Sequence, residues 1–226
     1  TAANLLSAAP NLNAQQYQSQ KPNKQVLAYS KQLFAQPAQT LEMAIDSTKD
    51  IYSIPQFVAG GGWGTAFMYQ NNSGKTVNIL AELFDTSGSP LVMNMNSENE
   101  QNNFVSSITK ELKPGEFYTA ETSGNGNGVA IGYAKISVDK GAAVNIGVVY
   151  SAYGSSGNLL SRVSVPASKL SKVFSSGAIV NHTKNTGIAV ANHNNVPLDL
   201  YFDYRDSSGK LIAEDKLQLN PGQQTA

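Results

Sequence analysis

Few side chains in this sequence could do acid–base, nucleophilic or metal chemistry. Its 226 residues include no cysteine and only two histidines. The absence of cysteine excludes a thiol nucleophile, thiolate zinc sites and a disulfide framework. His182 and His193 flank a predicted strand and would lie roughly 35 Å apart in an extended chain, so they cannot share a metal ion unless the segment folds back. The sequence therefore predicts no catalytic residues, no metal site and no cofactor.

Two glycine-containing segments resemble nucleotide-binding loops but lack their defining residues. Residues 74–76 read Gly-Lys-Thr, yet a phosphate-binding loop needs a glycine five positions before Gly74, where this chain has Tyr69. The run Gly124–Gly128 would need a third glycine at the position of Ile131 to be a dinucleotide fingerprint, and no helix is predicted after it. Both segments are predicted to be turns.

Turns and solvated strand faces explain the acidic residues. Asp85 and Asp206 begin two similar hairpin turns, Asp-Thr-Ser-Gly and Asp-Ser-Ser-Gly, in which the carboxylate accepts bonds from backbone N–H groups two residues on. A calcium site would need several more oxygen ligands. Glu82, Asp199 and Asp203 fall on the predicted solvent-facing side of their strands, so a carboxylate pair for glycoside hydrolysis is not expected.

The densest local signal is the segment Gly60–Gly62 followed by Trp63, the only tryptophan. Three successive glycines free the backbone for positive φ and for close approach to a neighbour. The favoured interpretation is that Trp63 is buried and caps one end of the core. The alternative is an exposed aromatic platform for a sugar or a partner protein, which makes Trp63 a candidate interaction residue.

The composition limits the kind of partner. Charged residues make up 14% of the chain, and the 16 basic and 16 acidic residues balance. A neutral chain with so few charges is not steered toward nucleic acid or an anionic membrane. No apolar run approaches the ~20 residues of a membrane-spanning helix. We therefore expect no nucleic-acid partner and no membrane span.

From Tyr52 onward the pattern is that of β-strands. Apolar residues alternate with others over 77–83 and over 144–150, and both runs are bounded by Gly, Asn, Ser or Pro. Runs of this kind are half-buried strands. Frequent Gly-rich turns without intervening helical patterns predict an all-β fold of the sandwich or barrel type.

An internal repeat organises this region. Residues 64–91 and 185–212, the first and second repeat segments, align without a gap at an offset of 121 residues, so that Asp85 matches Asp206. Both then reach similar Pro-Gly turns at 112–116 and 219–223, where the offset falls to 107 because the first copy carries an Asn-rich insertion of 14 residues. The insertion is predicted to be a protruding hairpin or loop.

The repeat predicts tandem Ig-like β-sandwich modules, one at 53–168 and an incomplete one at 173–226, after an arm or linker at 1–50. The second module lacks counterparts of three strand-like segments of the first, which would leave an apolar face and open edges. Either the chain is truncated, or the missing strands come from elsewhere, for instance from another subunit by strand addition.

The arm permits more than one structure. A helical spacing links Val26, Tyr29, Ser30, Leu33 and Phe34, and Pro37 interrupts it, which predicts two helical turns or one kinked helix. A partly ordered tail is the alternative. The same stretch can also extend as an apolar donor strand for the second module. Its candidate interaction residues are Val26, Leu27, Tyr29, Leu33 and Phe34.

Residues 54–168 resemble an uncharacterised Ig-like β-sandwich repeat module of bacterial secreted and cell-surface proteins. The shared features are a Pro and an aromatic residue before Gly-Gly-Gly-Trp at 60–63, a Phe-Asp-x-x-Gly hairpin at 84–88, a Pro-Gly turn at 114–115 and a Gly-Tyr-Ala strand at 132–134. Residues 173–226 match as a half copy without the Gly-Gly-Gly-Trp. The resemblance implies an extracellular β-sandwich and supplies no catalytic residues.

These features predict a non-enzymatic, extracellular or cell-surface bacterial protein with a structural or adhesive role. In the specific form of this hypothesis, the protein is a filament subunit that assembles by strand addition through its arm. Self-association or binding to other surface proteins is then expected. The alternative is a carbohydrate- or surface-binding accessory module of a larger secreted protein, with a glycan as the partner.

Overall fold

The structure, a computed structural model, describes the backbone of residues 27–34 and all atoms of residues 47–98, 103–122, 128–179 and 186–226. Every helix or strand in this described part is a β-strand, which confirms the predicted all-β class. The strands are β1 (Leu27–Phe34), β2 (Lys49–Ala59), β3 (Trp63–Asn71), β4 (Val77–Asp85), β5 (Met93–Ser97), β6 (Asn103–Val105), β7 (Ser107–Leu112), β8 (Phe117–Thr122), β9 (Ala130–Asp139), β10 (Val144–Tyr153), β11 (Leu159–Pro166), β12 (Ser168–Lys169), β13 (Ala178–Ile179), β14 (Val190–Ala191), β15 (Leu198–Asp206), β16 (Leu211–Leu219) and β17 (Gln224–Thr225).

The chain divides into two compact units. The described parts of the larger unit fall within residues 39–170, 189–198 and 219–226. Those of the smaller unit fall within residues 1–38, 171–188 and 199–218. The C-terminal third of the chain therefore contributes to both units.

Two antiparallel sheets make up most of the larger unit. One has the strand order β11-β10-β3-β8-β5-β6 and the other has the order β12-β2-β9-β4-β7. Buried apolar side chains from both sheets form one cluster, as expected for a sandwich whose sheets pack face to face. Its largest fully buried members are Tyr69, Phe57, Phe67, Ile54, Ile79, Leu83, Leu112 and Ile136.

The alternation seen in the sequence determines which side chains reach this core. In β4, Val77, Ile79 and Leu83 are buried, whereas Asn78 between the first two is exposed. Successive side chains of a strand point to opposite faces, so one face of β4 packs inward and the other meets solvent. The strands predicted from alternation at 77–83 and 144–150 are confirmed as β4 and β10.

The Asn-rich insertion forms a hairpin at one edge of the six-stranded sheet. β5 and β6 pair antiparallel, with Met93 opposite Val105 and Met95 opposite Asn103. Met93 and Met95 are buried in the core, and Phe104 is exposed. The insertion thus extends the sheet rather than forming a separate loop.

The smaller unit is built on one sheet with the order β13-β1-β15-β16. Leu200 and Phe202 of β15 are its only buried apolar side chains among the described residues. β16 is an edge strand whose Leu211 and Ile212 are exposed. This unit buries far less apolar surface than the sandwich does.

Two sequence-based predictions are corrected. The helical prediction for the start of the arm is wrong, because residues 27–34 form a strand that pairs on both sides; residues 35–46 lie outside the described part. Trp63 is half-buried and does not belong to the core cluster, so its prediction as a buried cap is also wrong. It lies at the first position of β3, opposite Ala152, where the sheet ends.

Candidate functional site

The structural feature closest to the predicted function is the place between β13 and β15 where β1 pairs. We call this place the β1 site. Ala28 pairs with Ala178 in β13 on one side and with Asp206 in β15 on the other. The register shifts between Ala28 and Ser30, and antiparallel pairing with β15 then resumes. The further pairs are Ser30↔Arg205, Lys31↔Tyr204, Gln32↔Asp203, Leu33↔Phe202 and Phe34↔Tyr201. A segment from the beginning of the chain thus completes a sheet built from its end.

The larger unit contains a strand in the equivalent position. Gly132 of β9 pairs with Phe57 in β2 on one side and with Asp85 in β4 on the other. Phe57 and Asp85 precede Ala178 and Asp206 by 121 residues, the offset of the sequence repeat. β1 therefore stands between β13 and β15 as β9 stands between β2 and β4.

The sequences of the two strands are also similar. Residues 27–31 read Leu-Ala-Tyr-Ser-Lys and residues 131–135 read Ile-Gly-Tyr-Ala-Lys. The alignment of the two repeat segments finds no counterpart of β9, because it matches the first copy only with residues later in the chain. The arm comes before the first copy and is not compared. A comparison of β9 with the arm could have identified residues 27–34 as the strand that pairs with β13 and β15.

A buried asparagine holds the end of β3 in place. The Asn71 side chain is fully buried, and its Nδ2 donates to the backbone O of Lys75 at 2.8 Å and of Leu112 at 2.8 Å. Its Oδ1 accepts from the backbone N of Ser73 at 2.8 Å. The backbone O of Asn71 accepts from Gly115 N, so this residue ties β3 to the Pro-Gly turn.

The same arrangement recurs at Asn192. Its buried Nδ2 donates to the backbone O of Val196 at 2.8 Å and of Leu219 at 3.2 Å, and its Oδ1 accepts from Asn194 N at 3.0 Å. Its backbone O accepts from Gly222 N at 3.0 Å. Each partner lies at the offset of 121 or 107 that the sequence alignment gives, so the alignment describes equivalent hydrogen bonds.

A threonine fixes the strand next to the β1 site in the same way. Thr186 Oγ1 accepts from Ile179 N at 2.8 Å and donates to Ile179 O at 3.1 Å. In the first repeat, Thr65 Oγ1 accepts from Val58 N at 3.2 Å and donates to Val58 O at 2.7 Å. β13 is therefore anchored independently of β1.

The two predicted aspartate turns have the predicted hydrogen bonds. Asp85 Oδ1 accepts from the backbone N of Ser87 at 2.8 Å and of Ser89 at 3.0 Å. Asp206 Oδ1 accepts from the backbone N of Ser208 at 2.9 Å and of Lys210 at 3.1 Å. Both carboxylates thus serve as acceptors within their own turns.

The remaining acidic candidates form ion pairs on strand faces. Glu82 lies 3.5 Å from Lys135, and Asp203 lies 2.8 Å from Arg205. Asp199 lies 2.9 Å from Lys216, and this hydrogen bond lowers the pKa of the Asp199 carboxyl. The Asp203–Arg205 pair is half-buried, whereas Glu82–Lys135 and Asp199–Lys216 are more accessible and add little stability.

His193 is a half-buried structural histidine of the larger unit. Its Nε2 shares a 2.7 Å hydrogen bond with Ser53 Oγ, and its ring lies edge-on to Tyr133 at 5.2 Å. Burial, together with the positive charge of Lys135, lowers the pKa of His193 from its ordinary 6.5 to about 4. The ring is therefore neutral at physiological pH. The other histidine, His182, lies outside the described residues.

A pocket of about 280 Å³ opens between the hairpin edge of the six-stranded sheet and β7. Asn96, Asn103, Thr109 and Lys110 line its polar part, and the Lys110 Nζ lies 4.4 Å from the centre of the Tyr118 ring. This ring face is thus covered by an ammonium group. The pocket can hold a small polar molecule but offers no open aromatic face at Tyr118.

The predicted interaction residues do not lie together in one described site. Leu27, Tyr29, Leu33 and Phe34 belong to β1, and Val26 lies just outside the described residues. Trp63 belongs to the larger unit and does not line the pocket. Only the arm residues therefore remain grouped.

Comparisons with family models, curated proteins and solved structures each found no match. In the part of the chain that the structure describes, no group of three or more His, Asp or Glu side chains could hold a metal ion. No helix there has the length and hydropathy to cross a membrane.

Proposed function

We propose that this chain is a non-enzymatic, extracellular structural or adhesive protein whose copies assemble by strand addition through the N-terminal arm. The observation that carries the proposal is the antiparallel pairing of β1 with both β13 and β15. Main-chain hydrogen bonds along an open strand supply affinity without requiring a preformed pocket. The tandem Ig-like organisation, with the second copy completed by the arm, is part of this proposal.

The smaller unit gives a physical reason for association. Without β1, one side of β15 would present unpaired N–H and C=O groups, which are a template for another strand. Buried apolar side chains on β15 are confined to Leu200 and Phe202 among the described residues of this unit. A sheet with so small a core depends on every strand that completes it.

The polar residues favour a structural role over a catalytic one. The carboxylates of Glu82, Asp199 and Asp203 have cationic partners, and His193 bonds to Ser53. The extracellular location rests on the resemblance of residues 54–168 to modules of bacterial surface proteins.

Particle size is the direct test of assembly. The full chain should form concentration-dependent oligomers or filaments in light scattering and electron micrographs. Replacing Lys31 and Gln32 together with proline should reduce the assemblies to monomers. In an antiparallel pair, only every second residue directs its N–H toward a given neighbouring strand. Of Lys31 and Gln32, one therefore donates to β15, and replacing both with proline removes that hydrogen bond.

The matched control replaces the same two residues with alanine, which keeps both N–H groups. The alanine variant should assemble like the unmodified chain. A full chain that stays monomeric over a wide range of concentration would refute the proposal. Assembly that is equally strong in the proline variant would show that β1 is not involved.

A glycan-binding role is the second candidate, and the pocket beside Lys110 is the observation that favours it. Among the described residues of the six-stranded sheet, the exposed Phe104 and Phe117 do not form a row, because Phe104 lies opposite Asn94 whereas Phe117 lies opposite Gln70. Glycan-array binding by a monomeric chain, lost in Lys110→Ala, would favour this role over assembly.

A further inference from the structure

We infer that the β1 site is specific for a strand of the β9 type and that its occupant in the assembled protein is residues 27–34 of a second copy of this chain. This inference rests on the proposed function and specifies its partner, its register and its geometry. It starts from the equivalence of β1 and β9.

The register defines the site. The two neighbours of Ala28 and the two neighbours of Gly132 differ by the same 121 residues on both sides. A strand paired by chance along an open edge would match one neighbour at most. At this position, the site between β13 and β15 therefore matches the site between β2 and β4. After the register shift that follows Ala28, the β1–β15 pairs are displaced by one residue from the β9–β4 pairs: Lys31 lies opposite Tyr204, whereas Lys135 lies opposite Glu82.

The residue types follow this geometry. At Gly132, an added Cβ would lie 2.9 Å from the Phe57 ring and 2.1 Å from the Phe84 backbone oxygen, so glycine is needed. At the equivalent position, Ala28 is opposite Ala178 rather than a phenylalanine. The smaller neighbour removes the aromatic ring, one of the two close contacts that require glycine at Gly132.

The distance along the chain allows another copy to supply the strand. β9 lies between β8 and β10 in sequence and belongs to a unit whose other strands surround it, whereas β1 precedes all the strands that it completes. A donor so far from its acceptor in sequence can be exchanged with the same segment of another copy, and such swapping forms identical contacts at low cost. At high protein concentration, a second copy competes with the effective concentration of the chain's own β1. That effective concentration falls as the connecting segment lengthens, and here the connection contains most of the larger unit.

The exchange has a defined geometry. Each copy carries one donor strand and one β1 site, so the contact between copies is heterologous, and each added copy leaves one free donor and one free site. Contacts of this type build rings when the rotation closes and open filaments when it does not. Assembly by this route is head-to-tail.

The chain has no cysteine, so introduced thiols report the register directly. Lys31 lies opposite Tyr204, and Cα separations in either type of antiparallel pair are within the range of a disulfide. The experiment mixes full-length Lys31→Cys with full-length Tyr204→Cys, unfolds and refolds them together, oxidises them and analyses them on a non-reducing gel. A pair of variants at Gln32 and Asp203 repeats the test if the first pair folds poorly.

The control is Lys31→Cys mixed with Arg205→Cys. A shift of one residue turns a side chain to the opposite face of the sheet, so the matched pair should give at least about tenfold more disulfide-linked dimer than this control. That result supports the inference. Equal linkage in the matched and shifted mixtures would overturn it, because the site would then have no register.

The double variant Lys31→Cys/Tyr204→Cys separates the two proposals. A ladder of linked species supports exchange between copies, whereas only intrachain linkage would overturn the inference while confirming the register. Polymers in light scattering without any linkage would overturn the inference and leave the proposed assembly standing on another surface. Absence of both polymers and interchain linkage would refute both proposals.

Discussion

β9 and β1 occupy equivalent positions in two sheets but reach them in different ways. β9 is surrounded in sequence by strands of its own unit, whereas β1 is separated in sequence from its partner β15 by most of the larger unit. Contacts between residues distant in sequence carry a higher loop-closure cost. β1 is therefore the strand that the proposed exchange between copies would use.

The comparison also shows what the repeat preserves. Hydrogen bonds at strand ends recur at Asn71 and Asn192 and at Asp85 and Asp206. The burial around the repeated strands differs, because the sandwich encloses one continuous core and the smaller unit does not. The two repeat segments thus share their hydrogen bonds at strand ends but differ in packing.

The largest effects are expected at the two buried asparagines. Asn71→Ala and Asn192→Ala should each lower the free energy of unfolding by about 3–5 kcal/mol, because each removes several buried hydrogen bonds and leaves backbone carbonyls unpaired. Denaturant titration measures both. The exposed Asn78 on β4 provides the control, and Asn78→Ala should cost less than about 0.5 kcal/mol. If Asn192→Ala leaves the free energy of unfolding nearly unchanged while Asn71→Ala lowers it strongly, the two asparagines are not equivalent.

The next test compares two turn glycines at equivalent repeat positions. Gly88 and Gly209 both have positive φ, 92° and 83°. A Cβ on Gly88 would lie 2.8 Å from the backbone of Gly222, whereas a Cβ on Gly209 would meet open space. Gly209→Ala should cost about 1 kcal/mol through the backbone conformation alone, and Gly88→Ala about 3 kcal/mol because the backbone of Gly222 must also move. Similar melting temperatures for the two variants would contradict this close approach.

The sequence predicts those parts of the fold in which local signals agree with the packing. β4 is predictable because apolar alternation coincides with burial, and the Asp85 turn because its side chain bonds within four residues. The repeat alone pairs Asn192 with Asn71 and the turn at 219–223 with the turn at 112–116. These features depend on residues close in sequence or on a direct copy of such residues.

Prediction from sequence fails where the outcome depends on distant partners. Val26, Tyr29 and Leu33 have a spacing that fits a helix over a short window, but β13 and β15 supply the pairing that makes residues 27–34 a strand. The glycine-rich approach to Trp63 favours a place in the core, yet Phe57 and Phe67 fill the interior and Trp63 lies at the first position of its strand, where the pairing with β10 ends. Neither result can be obtained from periodicity alone.

His193 should make the stability of the sandwich sensitive to acid. The first repeat has no histidine at the equivalent position. The matching residue of the first repeat, Asn72, is exposed and does not titrate. The pKa of His193 is about 4 in the folded protein and near 6.5 when unfolded, so the unfolded state binds the proton first as the pH falls. Stability is therefore complete above pH 6.5 and should fall by about 2–3 kcal/mol between pH 6.5 and 4.

The control for this pH effect is His193→Gln, which keeps a hydrogen-bonding side chain but cannot be protonated. Unfolding measured in denaturant across about pH 4–7 should show a flatter profile for this variant. A profile as steep as that of the unmodified chain would show that His193 does not cause the acid sensitivity.

The smallest effects are expected at the two aspartate turns. Hydrogen bonds from Ser87 and Ser208 lower the pKa values of Asp85 and Asp206, respectively. Because the pKa in the folded protein is below the ordinary 3.8, the stabilisation is present above that pH and is lost as the pH falls through the lowered value.

Alanine at either position should lower the melting temperature at pH 7 by at most about 2–4 °C, since both carboxylates are exposed. Asparagine keeps the Oδ1 acceptor and should be close to neutral at pH 7, without the loss in acid. Equal changes in melting temperature at Asp85 and Asp206 would show that the turn of the smaller unit is equivalent to that of the sandwich. A change at Asp85 alone would show that it is not.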